Sequence, residues 1–196
     1  MLEFLYTFKG VNQMRGKSHI CLGEYLARRY LQDIPETYIR AFLFGCIEPD
    51  RNPITYLKGS LQYQWLRGHN YRNARRFMRR ISMRLEKRNT WNLFDYYTLG
   101  KLIHYTADAF TYAHNDSFPI DLADHREYEV KLQEYFLTYI QSEPCVDVRI
   151  AKSIMEVIGS CHREYRSITS DIHRDSCFAL QACCCVLVVL LAPKLI

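Results

Sequence analysis

From Ser18 onward the apolar residues of this chain recur at intervals of three and four, and strand-like alternation is weak everywhere. That period marks one face of an α-helix, so each segment must bury its stripe against another helix. Ser18 can cap a first helix to about Asp33, with Ile20, Leu22, Tyr25, Leu26 and Tyr30 on one face. Pro35 opens a second through Tyr38, Ile39, Phe42 and Leu43. It is expected to end near Gly45, ahead of the loop Glu48, Pro49, Asp50, Arg51, Asn52 and Pro53, because proline disfavours helix in its predecessor. Further helices are expected over 56–87 with a break near Gly68, from a Thr90 cap to about Tyr112, and from Asp121 or Asp124 to Ile140. The segments 145–166 and 168–192 supply two more. With 8 glycines and 6 prolines, the chain has too few breakers for a fold of many tight turns. Its 196 residues contain no linker long enough to divide them, so the expectation is one all-α, multi-helix domain with a layered core.

Composition excludes some classes of function. Hydrophobic residues at 48% and charged residues at 24% argue against a disordered or fibrous chain. The formal charge of +5 suits an anionic partner without demanding one. Residues 1–13 do not read as a secretory signal: no basic start, a short apolar stretch and no small-residue cleavage site. The apolar run from Phe178 to Ala192 is 15 residues long, short of the ~20 that span a bilayer. It reads as a buried last helix, with a membrane-surface contact as the alternative. These points favour a cytoplasmic protein. The eight cysteines form no C-x-x-C pair and read as reduced, packed thiols.

Between residues 72 and 88 stand Arg72, Arg75, Arg76, Arg79, Arg80, Arg84, Lys87 and Arg88 against one acid, Glu86. Helical spacing lays most of them on one face. Such a face can attract lipid headgroups or nucleic acid, or it can simply be a solvated surface beside Phe77, Met78, Ile81 and Leu85.

The chemistry concentrates in two pairs. His104 and Asp108 lie four apart, as do His125 and Glu129, so each pair can aim both side chains at one ion. His114 lies ten residues past His104, ~15 Å along an unbroken helix, and reaches the first pair only if the chain bends. Two such pairs with a histidine between them point to a metal site.

The ordered set His19, Asp50 (in a Gly45-to-Asp50 turn with Pro49), His69, His104/Asp108, His114 and His125/Glu129 resembles the zinc-dependent phospholipase C and S1/P1 nuclease family. The resemblance spans about residues 18–130. The final Glu and the short interval from His114 to His125 look more like the phospholipase branch. It implies a phospholipase C/P1 nuclease-like fold over 14–196, after an extension at 1–13, and two or three zinc ions. Asp50, His69, His104 and Asp108 would hold the first ion, and His114, His125 and Glu129 the second. His19 with a bridging Asp108 would hold the third. The implied activity is phosphodiester hydrolysis, a metal-activated hydroxide attacking phosphorus in line, with Asp50 orienting the water or taking its proton. The implied substrate is a phospholipid or related phosphate ester. The alternatives are a nuclease on single-stranded nucleic acid and a degenerate metal-binding relative. In the family an N-terminal Trp completes the third zinc. No Trp stands near the start of this chain, and a start at Met14 would instead place a free amine near His19. Arg51 beside Asp50 would repel choline and attract a further anionic group, which makes it a candidate substrate-binding residue.

Overall fold

The expected helical stripes close around one buried helix. A computed structural model describes residues 15–52, 54, 69–115, 122–169 and 171–191, with the backbone alone for 15 and 122–126. The order is α1 (Arg15–Tyr30), α2 (Glu36–Arg51), α3 (Tyr71–Glu86), α4 (Leu93–Ala109), a 3-10 turn at Tyr112–His114, α5 (Leu122–Gln141), α6 (Ile154–Arg166) and α7 (Ile172–Leu191). No strand occurs among the described residues, so the all-α expectation holds. The proposed extension at 1–13 and the stretch 55–68 lie outside the described residues.

Helix α4 is the hub. Its side chains are buried nearly throughout, and α1, α2, α3 and α7 all pack against it. Its start is Asn92 rather than Thr90. Asn92 accepts the Asp95 N–H and Asp95 accepts the Asn92 N–H, both at 3.1 Å, a reciprocal cap that Thr90 cannot make. Asp95 is fully buried and also accepts from Arg84 at 3.0 Å and Arg88 at 2.8 Å. Two of the basic residues in the 72–88 stretch are therefore structural.

Other boundaries also differ from expectation. Helix α2 does not end at Gly45 but continues through Pro49 to Arg51, closed by the Asn52 N–H on the Glu48 carbonyl at 3.0 Å. A proline in the last turn removes one backbone bond without stopping the helix. Asp50 is thus a helical residue, not a turn residue. Residues 145–153 are not helical, because Ser153 caps α6 by accepting the Glu156 N–H and Glu86 accepts the Ile154 N–H. Helix α7 has the length and apolarity of a membrane span. In the fold, its residues Ala182 to Leu187 are completely buried in the core. All eight cysteines are free thiols, and Cys46, Cys161 and Cys183 to Cys185 are packed inside as expected. Cys145 is exposed.

The tightest approach is between α2 and α4. A Cβ added at Gly45 would overlap the Tyr97 carbonyl oxygen, and one at Gly100 would overlap the Phe42 carbonyl oxygen. Both obstacles are backbone, which cannot swing aside. Gly100→Ala is therefore expected to cost more than about 4 kcal/mol and to leave little folded protein. Thermal denaturation followed by circular dichroism measures this; a midpoint within a few degrees of the parent would contradict the close contact.

Candidate metal centre

Four helices and two turns deliver carboxylates and imidazoles to one place. His19 comes from α1 and Asp50 from the last turn of α2. His69 stands immediately before Asn70, which caps α3 by accepting the Arg72 N–H at 2.9 Å. His104 and Asp108 lie on the inner face of α4, one turn apart.

Asp108 is the centre of the arrangement, and its two oxygens face different histidines. Oδ1 lies 3.2 Å from His19 Nε2. Oδ2 lies 3.0 Å from His69 Nδ1 and 3.2 Å from His104 Nε2. Asp50 Oδ1 lies 3.7 Å from both His69 Nδ1 and His104 Nε2. The two imidazole nitrogens are themselves 3.0 Å apart. Ligand atoms about 2.0–2.1 Å from a tetrahedral zinc stand about 3.3 Å from one another, so this nitrogen and oxygen set has the spacing of a zinc cage. Oδ2 of Asp50 is buried with no hydrogen-bond partner among the described residues, an orphan that a cation or a bound water would satisfy.

The protonation of His104 fits the same use. A carbonyl can only accept, so His104 Nδ1–H donates to the Cys46 carbonyl at 2.8 Å, which leaves the Nε2 lone pair facing the cluster. Burial, reinforced by the nearby His19, holds His104 below its ordinary pKa and keeps it neutral. His19 is pulled the same way by burial, but the hydrogen bond and charge of Asp108, with Asp50 and Glu129 adding, carry its pKa above normal. Burial would raise Asp108, but the surrounding histidines outweigh it and hold the carboxyl well below its usual range.

The bend that sequence left open is present. After α4 the chain turns at Phe110 and Thr111, and His114 comes back to within 6.3 Å of His69, measured between ring centroids. Thr111 Oγ1 donates to the Asp108 carbonyl at 2.9 Å and so accepts the His114 Nδ1–H at 2.7 Å. The Nε2 of His114 then faces Glu129 Oε1 of α5 at 3.8 Å. Asn115 pins the turn by donating to the carbonyls of Ala109 and Thr111, and its own carbonyl meets His162 Nε2 at 3.0 Å. His125 lies on α5, four residues before Glu129, and its side chain is outside the described residues. All the other sequence-predicted ligands converge.

A cavity runs along this cluster. His19, Asp50, His69, Asp108, His114 and Glu129 line it. Leu132 and Phe136 of α5 and Ala179 of α7 line it as well, with Gln133, Asp175 and Ser176. Arg51 is exposed at the end of α2 and is not a lining residue.

Sequence reasoning missed Asp175. It looks like an ordinary acid in the first turn of an apolar helix, favoured there by the helix dipole. In the fold it is completely buried. Its Oδ2 accepts the Tyr112 N–H at 2.6 Å and the Tyr128 hydroxyl, and its Oδ1 accepts the Tyr165 hydroxyl at 2.8 Å. Tyr112 belongs to the turn of His114, and Tyr128 precedes Glu129. Asp175 therefore ties together the two segments that carry the second group of candidate ligands.

A family model described as zinc dependent phospholipase C matches residues 18–183. No curated protein and no solved structure matches the chain.

Thr111→Val keeps the shape but removes the acceptor for His114 Nδ1–H. Zinc affinity is expected to fall 10- to 100-fold, as for other outer-shell changes, in a chelator-competition titration. Unchanged affinity would contradict the assigned tautomer. Burial pushes Asp175 up to about 7, with the Tyr112 N–H opposing. The unfolded carboxyl titrates near 4, so between about pH 4 and 7 the folded chain binds the extra proton and stability falls as pH rises. Asp175→Asn should flatten this decline by up to about 1.4 kcal/mol per pH unit. Melting temperatures across that range, variant against parent, measure it; parallel curves would contradict the assignment.

Proposed function

This chain belongs to the zinc-dependent phospholipase C family, and on that premise we propose that it is a zinc-dependent phosphodiester hydrolase acting on phospholipids or related phosphate esters. The observation that carries the reading is the division of Asp108 between two sets of imidazoles, one at each oxygen. A carboxylate so placed can bridge two ions. By this reading Asp50, His69, His104 and Asp108 would hold one zinc, His19 and Asp108 a second, and His114 and Glu129, with His125, a third. Bound there, zinc supplies Lewis-acid polarisation of the phosphoryl oxygens and brings the pKa of water near neutrality.

The chain's own residues do the rest. Asp50 is the group placed to orient the attacking water and to take its proton, because its Oδ2 is buried against the cluster without a hydrogen-bond partner among the described residues. Cys46 and Thr111 hold His104 and His114 in the tautomers that present Nε2. The apolar lining residues Leu132, Phe136 and Ala179 lower the local dielectric and strengthen charge interactions with a phosphate. Arg51, one residue beyond Asp50 and exposed, favours substrates with a further anionic group over choline esters.

Metal analysis of the purified protein is expected to give two or three zinc equivalents per chain. Asp108→Asn should bind less zinc and lose more activity than the roughly 100-fold an outer-shell change costs. Paired assays on a phospholipid and on single-stranded DNA identify the substrate class. Turnover of the DNA alone would reassign the protein to the nuclease branch. Less than one zinc with neither substrate cleaved would overturn the enzyme reading.

A further inference from the structure

Helix α3 begins two residues after His69, and its outward face carries a charge that the metal centre does not use. Ala74, Met78, Ile81, Ser82 and Leu85 are buried against the core. Arg72, Arg75, Arg76, Arg79 and Arg80 are exposed on the other side, and Met83 continues their stripe with 45% of its surface exposed. The positions 72, 75, 76, 79, 80 and 83 follow the three-and-four spacing of a single helix face. The basic residues of this region that have a structural task are different ones. Arg84 and Arg88 are paired with buried Asp95, and the local acid Glu86 accepts the Ile154 N–H. Among the described residues, no ion pair or hydrogen bond engages the guanidinium groups of the five exposed arginines.

Apolar side chains are exposed at the C-terminal end of this stripe. The Arg84 guanidinium lies 4.8 Å above the Phe94 ring, which brings the start of α4 beside the end of α3. Phe94 packs against Tyr97 at 5.7 Å, and Tyr97 against Phe44 of α2 at 5.8 Å. Phe44, Leu93 and Phe94 expose 44%, 50% and 52% of their surface. An arginine row ending in exposed aromatic and aliphatic side chains matches a bilayer interface, where anionic headgroups lie beside the hydrocarbon boundary.

We propose that the arginine face of α3, with Met83, Leu93, Phe94 and Phe44, docks the protein on an anionic lipid surface. The preference for a lipid surface over other polyanions rests on the lipid-directed reading above together with the exposed apolar side chains. Sparse stacking surfaces along the arginine row argue against single-stranded nucleic acid. The charge sets affinity for the surface, and the apolar cluster sets depth. The face works by binding alone and takes no part in the chemistry at zinc.

The test is co-sedimentation of the zinc-loaded full chain with phosphatidylcholine vesicles, with and without 30 mol % phosphatidylserine (roughly the anionic fraction that gives a strong surface potential). Binding is expected to the anionic vesicles, weakening as salt rises. Each basic residue at such a surface is worth roughly fivefold, so Arg75→Gln/Arg79→Gln should lose about 25-fold. Phe94→Ala should weaken binding without changing its salt dependence. Both variants alter exposed side chains, and unchanged zinc content and melting temperature establish that they fold. Hydrolysis of a soluble phosphodiester should stay at the parent level in both. Equal binding to the two vesicle types would overturn the proposal, as would a double variant within threefold of the parent. Tighter binding of a single-stranded oligonucleotide than of anionic vesicles would overturn it in favour of nucleic acid. Vesicle binding without phospholipid turnover would overturn the catalytic reading and leave the docking face standing.

Discussion

Two glycines set the geometry on which everything else depends. Gly45 and Gly100 let α2 and α4 meet backbone to backbone, closer than any side chain would allow. One consequence is immediate: the Cys46 carbonyl reaches His104 Nδ1 at 2.8 Å. One turn further along α2, Asp50 comes to 3.7 Å from His104 Nε2. The same crossing therefore orients a buried imidazole from behind and sets a carboxylate in front of it. A helix pair held at an ordinary separation of 8–10 Å by larger side chains would lose both contacts.

Around that crossing the polar groups are arranged in layers, each supporting the one inside it. Asp108, His104 and His69 are almost completely buried, which is costly for ionisable groups that lack partners. Each has partners within the cluster. Thr111, Asn115 with His162, and Asp175 with three tyrosines hold the turn that returns His114 to the site. Aligned imidazole and carboxylate groups then converge with little freedom to rearrange, which is what a tight metal site requires. The core around them does not share this polarity: α7, with its run of buried apolar residues and cysteines, contributes Asp175 and Ser176 only at its first turns.

Much of this was legible in the residues. Helical periodicity named the fold class, and the family resemblance carried by the ordered set from His19 to Glu129 named candidate metal ligands. The errors were local and have physical causes. The local rule makes Pro49 a stop, yet a proline in a last turn removes only one bond. Thr90 has the residue type of a cap, yet Asn92 and Asp95 satisfy each other reciprocally. Helical spacing puts most of the basic stretch on one face, yet Asp95 takes two of its members into the structure. Asp175 and Thr111 gave no signal, because an acid at a helix start and a threonine near a turn usually have only local roles.

The one-dimensional pattern determined what could be decided by nearest neighbours on a helix: which segments are helical, which stripe is apolar, and which histidine and carboxylate share a face one turn apart. Separation along the chain carries no such information across helices. The tertiary structure decided that Asp50, His69 and His104 converge, that Asp108 turns one oxygen to each set of imidazoles, and that His114 comes back after the bend. Those outcomes depend on how closely α2 can approach α4 and on contacts between residues far apart in the chain, such as His19 with Asp108 and Tyr112 with Asp175. Packing of backbone against backbone, rather than any local preference, turned an ordered list of candidate ligands into one cluster.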